Sequence, residues 1–494
     1  MYNISLQDFL KLSRGANVIP VYKEINADLD TPVSCFLKLA KDKYSFLLES
    51  VEGQEKIARY SFLGTNPCIV LSSKGKHIEI RDHGVVRRFV TDTDPLDEIR
   101  KIMRGFKPAA IKGLPRFYGG FVGYIGYDFV RFIEDIPDKN PDDLRIPDAF
   151  VILTDKILLF DHINHTLKII VNVILPPEGK GLSRDQKARR YRLALKQIEA
   201  IDKDFKRSVR AQELEPVSRG KRTVLTSNFE KSQFCGIVNK AKEHIKAGDI
   251  IQVVLSQRFK AKIKREPFDI YRSLRGLNPS PYMFFLQLGP VTLIGASPEL
   301  LVRCENGAVQ VRPIAGTRRR GRTEAEDKSL EEELLNDPKE KAEHLMLVDL
   351  GRNDVGRIAK LGSVKVNNFM SVEKYSHVMH LVSEVAGVLD TKYDAYDVLR
   401  ACFPAGTVSG SPKVRAMEII DELENTRRST YAGCVGYVSF SGNLDTCITL
   451  RTMAVIGDTA YIQAGAGIVA DSVPEREFVE TQNKAKALIE ALNN

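Results

Sequence analysis

Apolar and polar residues alternate over 44–51 (YSFLLESV) and again through 58–90, with Gly and Asn turn signals between the runs. A period of two with such punctuation predicts strands. The segment 156–173, KILLFDHINHTLKIIVNV, predicts a hairpin turning at Asn164. At 228–250 the period changes: NFEKSQFCGIVNKAKEHIKAGDI predicts an amphipathic helix ending at Gly248, followed by a strand over 252–263. Residues 291–304 and 308–317 predict two paired strands. Asp337-Pro338-Lys339-Glu340 predicts a helix start, with Asp as N-cap, Pro at N1 and Glu closing a capping box. Ser411-Pro412 predicts a second helix start of the same kind, and Pro474 opens the last helix. No repeat of roughly 20–50 residues is present. Strands and helices mixed in this way predict an α+β fold, with large mixed, mainly antiparallel sheets packed by helices.

The pattern divides the chain into a β-rich part at 1–178, a basic helix and linker at 179–224, and a larger part at 225–494. With 43% hydrophobic and 28% charged residues among 494, there is ample material for a large core, and general disorder is excluded. No apolar run approaches about 18 residues, so no membrane span is expected. The start, MYNISLQDFLKLSRG, lacks the charge and apolar runs of a secretory signal. Seven cysteines, an odd number without a CxxC, argue against a disulfide framework or structural zinc and for a reducing, cytoplasmic setting. The net charge of +9 is concentrated at 180–222, where 14 Lys and Arg face 6 Asp and Glu. A nucleic-acid or anionic-membrane patch is one reading. Only Tyr191 and Phe205 interleave the charges, so a solvated helix and linker is the expectation, with no nucleic-acid partner.

Two helices each carry an acidic pair at spacing three, Glu340 with Glu343 and Glu477 with Glu480. Such residues are neighbours on one helix face, and oxygen donors of this kind suit Mg2+; a solvated face is the plain alternative. QAGAG (463–467) puts glycines in a strand, a mark of close backbone approach. PAGTVSGSPK (404–413) runs into a helix N-terminus but fails the spacing of a nucleotide-binding P-loop. Arg451, in a strand over 445–455 on the face of Cys447, Thr449 and Met453, needs a carboxylate, from a neighbouring strand or from a substrate. His377 and His380 lack further spaced ligands, and one of them is a candidate acid or base. Cys434 sits in an imperfect nucleophile-elbow pattern with no downstream histidine, and reads as structural.

Together these segments closely resemble the chorismate-utilising enzymes, and among them the large, component I subunits of anthranilate synthases. The resemblance rests on LLES (47–50), PSPYMFF (279–285), GASPE (295–299), RPIAGTRRRG (312–321), EHLMLVDLGRNDVGR (343–357), SHVMHLVS (376–383), FPAGTVSGSPKVRAMEII (403–420), LDTCITLR (444–451), QAGAG and ETQNKA (480–485). It covers nearly the whole chain and implies that family's β-sandwich fold.

It also implies a chemistry: ammonia attacks C2 of chorismate, the 4-hydroxyl leaves, and pyruvate is then eliminated to give anthranilate, the first step toward tryptophan. By the resemblance, Glu343 and Glu480 match the Mg2+ ligands, flanked by Glu340 and Glu477. Gly316, Thr317, Tyr431, Arg451, Gly465, Ala466, Gly467 and Lys484 match chorismate-binding positions. Glu299 matches the general acid, His380 a histidine of the elimination, and Thr407 another active-site position. Ser50, Pro281, Tyr282 and Met283 match a site for feedback inhibition by L-tryptophan, placed in the 1–178 region. Relatives that make 4-amino-4-deoxychorismate commonly carry Lys where Ala315 stands, and isochorismate-forming relatives carry Lys at Gln252. Both positions favour anthranilate, with 4-amino-4-deoxychorismate synthase component I as the alternative. The chain has no glutaminase triad, so glutamine-derived ammonia is expected from a separate amidotransferase subunit, component II, in a heterodimer or heterotetramer.

Overall fold

The strands Gly120–Ile125 and Ala149–Thr154 are buried at every position. Strands that are apolar without alternation require cover on both faces, and a layered arrangement supplies it. A computed structural model describes residues 2–40, 42–51, 59–176, 181–206, 223–375 and 378–493. Two twelve-stranded sheets, antiparallel in their pairings, face each other. Phe46, Phe284 and Leu293 of the first interdigitate with Tyr124, Val302 and Val435 of the second in one core. The outer face of the first sheet buries a second core, in which Tyr191, Tyr271 and Leu488 come from covering helices.

The two long parts of the chain share both sheets. Tyr44–Glu49 pairs with Tyr282–Leu288, and Gly120–Ile125 pairs with Cys434–Ser439. The expected hairpin forms between Lys156–Asp161 and Thr166–Ile174, its turn held by Asp161, which accepts from the N–H groups of Ile163 and Asn164. The helix Lys231–Ala247 ends where expected, at a left-handed Gly248. In the basic segment, Arg184–Phe205 is a helix that buries Tyr191, Ala194, Ile198 and Phe205 while Arg189, Arg192 and Lys196 are exposed; 207–222 lie outside the described residues.

Several boundaries differ from the sequence expectation. The run 291–304 is two strands, Val291–Ser297 in the first sheet and Leu300–Glu305 in the second. Only the latter pairs with Ala308–Val311, while Ile314–Arg319 pairs with Val378–Val388. The run 445–455 breaks in the same way into Leu444–Ile448 and Thr452–Ile456, with Arg451 between them at φ 45°. The face assigned to Arg451 by strand alternation is therefore wrong. These two crossings run side by side: Gly295 faces Thr452 in one sheet and Leu300 faces Cys447 in the other. Asp337 caps Pro338–Gly356 by accepting from the N–H groups of Lys339 and Glu340. The Glu340 carboxylate does not close a capping box; Arg318 takes it instead. Ser411 is no cap either, because it lies in a two-residue strand and Pro412 is the N-cap of Lys413–Leu423. Among the described residues no helix is long and apolar enough to cross a membrane, and all seven cysteines are free.

Candidate active site

Glu299 sits where the chain passes from one sheet to the other. Its carbonyl accepts from the Ile448 N–H, and the Ser297 hydroxyl donates to the Ile448 carbonyl at 2.6 Å. The adjacent crossing is tied back by the Ala296 N–H donating to the Arg451 carbonyl. A pair of strands changing sheets together thus sets Glu299 and Arg451 at one junction. Burial pushes the Glu299 carboxyl up to about 8, against smaller lowering influences of the Thr407 hydroxyl and the Lys484 ammonium. Thr407 lies in the turn Gly406–Val408, and its hydroxyl is buried without a well-formed hydrogen bond. The acid is therefore held protonated near neutral pH, with a polar neighbour but, among the described residues, no ion-pair partner.

A glycine floor lies beside this junction. Gly465 and Gly467 pair with Ser256 and Val254 in the adjacent strand. A Cβ on Gly465 would stand 2.7 Å from the Tyr431 hydroxyl, and one on Gly467 would stand 2.6 Å from the Gln252 amide nitrogen. Both glycines are needed for these side chains to lie over the strand. Ala466 points the other way, into a core cluster with Leu255 and Ile468, so only its backbone can border the floor. Lys484 donates to the Gly465 carbonyl at 3.0 Å and pairs with Glu480 at 2.7 Å.

The opposite wall is the strand Ile314–Arg319 with the helix Pro338–Gly356. Gly316 has φ 63°, and a Cβ there would meet Leu334 and Glu340. Its carbonyl lies 2.8 Å from His380 Nδ1, with the Thr317 hydroxyl at 3.1 Å. That carbonyl requires a proton on Nδ1, which leaves Nε2 as a base in the neutral ring. Burial lowers the His380 pKa, with Arg451 acting in the same direction, and keeps the ring neutral. His377 lies outside the described residues.

The acidic pairs are placed differently from one another. Glu343 accepts from the Gln252 amide at 3.3 Å. Glu340 pairs with Arg318, which also holds Glu333 and Asp337. Burial, and then the like charge of the neighbouring pair member, raises the pKa of both Glu340 and Glu477. Among the described residues no three His, Cys, Asp or Glu side chains converge as a metal site. Glu343 and Glu480 can still supply hard oxygen donors, and the crowded carboxylates are a local excess of negative charge that a divalent cation relieves. A cation held by so few protein ligands keeps water or takes an anionic substrate, as Mg2+ does.

A second pocket brings Ser50, Pro281, Tyr282 and Met283 together. It draws Leu48–Ser50 and Arg116 from the first part of the chain and Arg303, Tyr437 and Asp445 from the second, so it is not confined to 1–178. The Tyr282 hydroxyl donates to Asp445 and receives from Arg303, while Arg116 donates to Tyr437. Among the described residues, the Ser50 hydroxyl and one Glu49 oxygen are buried without hydrogen-bond partners. Two arginines sharing the Asp445 carboxylate, with unpartnered oxygens nearby, suit a ligand bearing both charges.

A family model described as chorismate binding enzyme matches residues 44–490. The chain belongs to the chorismate-binding enzyme family. Among chorismate-binding enzymes, it is 52% identical over 491 residues to anthranilate synthase component 1 of Aquifex aeolicus, covering 99% of this chain and 98% of that one. It is 48% identical to the protein of the same name from Acetivibrio thermocellus, covering 100% and 99%. The crystal structure of anthranilate synthase component I from Streptococcus pneumoniae superposes with a TM-score of 0.75 at 37% identity, over 94% of this chain and 99% of that one. The menaquinone-specific isochorismate synthase of Escherichia coli, at 20% identity and a TM-score of 0.69, shares the fold. Within this family's frame, the structure gathers Glu299, Thr407, Arg451, His380, Tyr431 and the glycine strand around one junction. Sequence reading missed Arg318 and the Arg428–Glu424 pair. Arg318 is one of three consecutive arginines and its partners lie 15 to 22 positions away, whereas Glu424 and Arg428 stand four positions apart, a spacing that could have signalled the pair.

Proposed function

We propose that the chain is the synthase subunit of an anthranilate synthase, converting chorismate and ammonia to anthranilate, pyruvate and water. The observation that carries this reading is Glu299, a buried carboxyl with its pKa raised to about 8, set at the sheet crossing beside Arg451. A neutral acid is what departure of a hydroxyl requires. Arg451 and the Gly465–Gly467 backbone hold the enolpyruvyl carboxylate, and Tyr431 and Thr317 orient the ring. Ammonia forms a bond to C2 as both ring double bonds shift along the diene and the C4–oxygen bond breaks. Glu299 gives its proton to the departing oxygen, which leaves as water. The product, aminodeoxyisochorismate, then loses its C2 proton while the enolpyruvyl ether bond breaks with a proton gained on the side chain, releasing pyruvate. His380, neutral and oriented by the Gly316 carbonyl, is placed for proton transfer in this step.

Glu343 and Glu480 would hold Mg2+, which when bound supplies a positive charge for the ring carboxylate. Ala315 offers no amine to attack C2, so direct amination is favoured over formation of 4-amino-4-deoxychorismate. We assign the second pocket to L-tryptophan as feedback inhibitor, its carboxylate toward Arg116 and Arg303 and its ammonium toward Glu49 and Ser50. Ammonia comes from a glutamine amidotransferase subunit in the assembled enzyme, in a cytoplasmic setting.

The test uses the purified chain with chorismate, Mg2+ and ammonium near pH 8, following anthranilate fluorescence. Signal lost with EDTA and lowered by L-tryptophan supports the whole reading. Chorismate consumed to 4-amino-4-deoxychorismate or isochorismate, identified by chromatography, overturns it.

A further inference from the structure

Arg428 and Glu424 form an ion pair with side chains 1% and 3% exposed. A buried pair of this kind gives little net stability, because desolvation offsets the attraction. What distinguishes this one is where its remaining bonds go. One Arg428 amino group donates to the Val408 carbonyl at 2.7 Å, the residue next to Thr407. The other donates to the Val254 carbonyl at 2.6 Å, the strand partner of Gly467. Glu424 accepts from both the N–H and the hydroxyl of Ser256, the strand partner of Gly465. The guanidinium also lies 5.5 Å from the Tyr431 ring centre. One planar group thus joins the turn carrying Thr407 to the strand paired with the glycine strand.

We propose that Arg428 is a positioning residue for the amination step, locking the Thr407 turn against the glycine floor so that Thr407 keeps its place beside the Glu299 carboxyl. The inference rests on the assignment of Glu299 and Thr407 to the active site. Lysine at 428 would keep the charge against Glu424 but cannot donate to two carbonyls and a carboxylate from fixed directions in one plane.

The experiment is a double-mutant cycle with Arg428→Lys and Thr407→Val, read as kcat and chorismate KM with saturating ammonium and Mg2+. Arg428→Lys is expected to lower kcat about tenfold or more while changing KM less than about threefold, since small misplacements act on the chemical step. In the double variant the two losses should not multiply, because both act through one contact. Ser256→Ala, which removes one bond to Glu424 and the one that the hydroxyl accepts from the Gln463 amide, should lower kcat by a smaller factor and also fail to multiply with Thr407→Val; it decides the matter if Arg428→Lys does not fold. Losses that multiply, or a lowered melting temperature with unchanged kcat in either variant, overturn the proposal. A wild-type chain that forms no anthranilate overturns the underlying assignment instead, and the two failures are distinct.

Discussion

A carboxyl buried at Glu299 without a cation in ion-pair contact must stay neutral or lose stability, and this links catalysis to folding through one proton. Its pKa is raised from 4.5 to about 8 by burial, with Thr407 and Lys484 as the groups that oppose the rise. Between these values the folded state binds a proton that the unfolded state has lost. Stability therefore falls as pH rises through this window and levels off above it. Glu299→Gln removes the penalty: relative to wild type it should gain nothing below pH 4 and gain progressively up to pH 8, with an upper bound of about 5 kcal/mol. Urea unfolding at several pH values checks this. The same variant should lose at least about a hundredfold in kcat with little change in chorismate KM, and wild-type kcat should decline above pH 8 as the acid ionises. A flat stability difference across pH would deny the raised pKa. Gly465 offers a second test at this scale. Gly465→Ala places a Cβ 2.7 Å from the Tyr431 hydroxyl and 2.9 Å from the Leu255 carbonyl, and the backbone cannot give way as a side chain can. Chorismate KM should rise more than about tenfold, measured by initial rates, as Tyr431 is displaced.

Elements matter because each site residue inherits its direction from a strand or helix end. The helix Pro338–Gly356 presents Glu343, and its start is fixed by Asp337 as N-cap and by Arg318, which joins Asp337 and Glu340. Asp337→Ala should cost about 1 kcal/mol of stability and Asp337→Asn much less, since asparagine caps as well as aspartate. If the cap steadies Glu343, half-saturation by Mg2+ should shift severalfold upward in the alanine variant and less in the asparagine one, read from anthranilate rates against Mg2+. Equal shifts would place the effect in the Asp337 charge rather than the cap. Element types were legible in the sequence. Alternation marked the strands at 44–51 and 156–173, and the change of period marked the helix that ends at Gly248. The sheet crossings at Glu299 and Arg451 were not legible, because the strand pattern resumes within a few residues of each and alternation carries no record of which sheet a residue joins. Glu340 was misread as a capping partner for a related reason: the arginine that takes it lies 22 positions earlier in the chain. The candidate site residues were named through motif resemblance, whereas Arg428 was not, since its partners include backbone carbonyls that no side-chain pattern encodes.

At the scale of the whole molecule, one strand can be followed from one pocket to the other. Leu444–Ile448 carries Asp445 in the wall of the second pocket and, three residues on, Ile448, whose N–H holds the Glu299 carbonyl. Asp445 is fixed from three sides by Tyr282, Arg303 and Arg116. A ligand carboxylate that drew either arginine away would release a buried charge and shift this strand, and a packed sheet transmits such a shift because its interior has little free volume. The segment belongs to the same sheet crossing that places Arg451, so the substrate carboxylate and the general acid would move together. Coupling of this kind is reciprocal at equilibrium. L-Tryptophan should raise the dissociation constant of chorismate, and chorismate should raise that of tryptophan by the same factor, measured by calorimetry with the Glu299→Gln variant to prevent turnover. Ser50→Leu, which places an apolar side chain where the unpartnered hydroxyl stands, should abolish tryptophan binding and inhibition while leaving chorismate KM and kcat within about twofold of wild type. Inhibition that survives this substitution would move the effector site elsewhere. A chorismate dissociation constant that L-tryptophan leaves unchanged would show that the joined sheets carry no coupling between the two pockets.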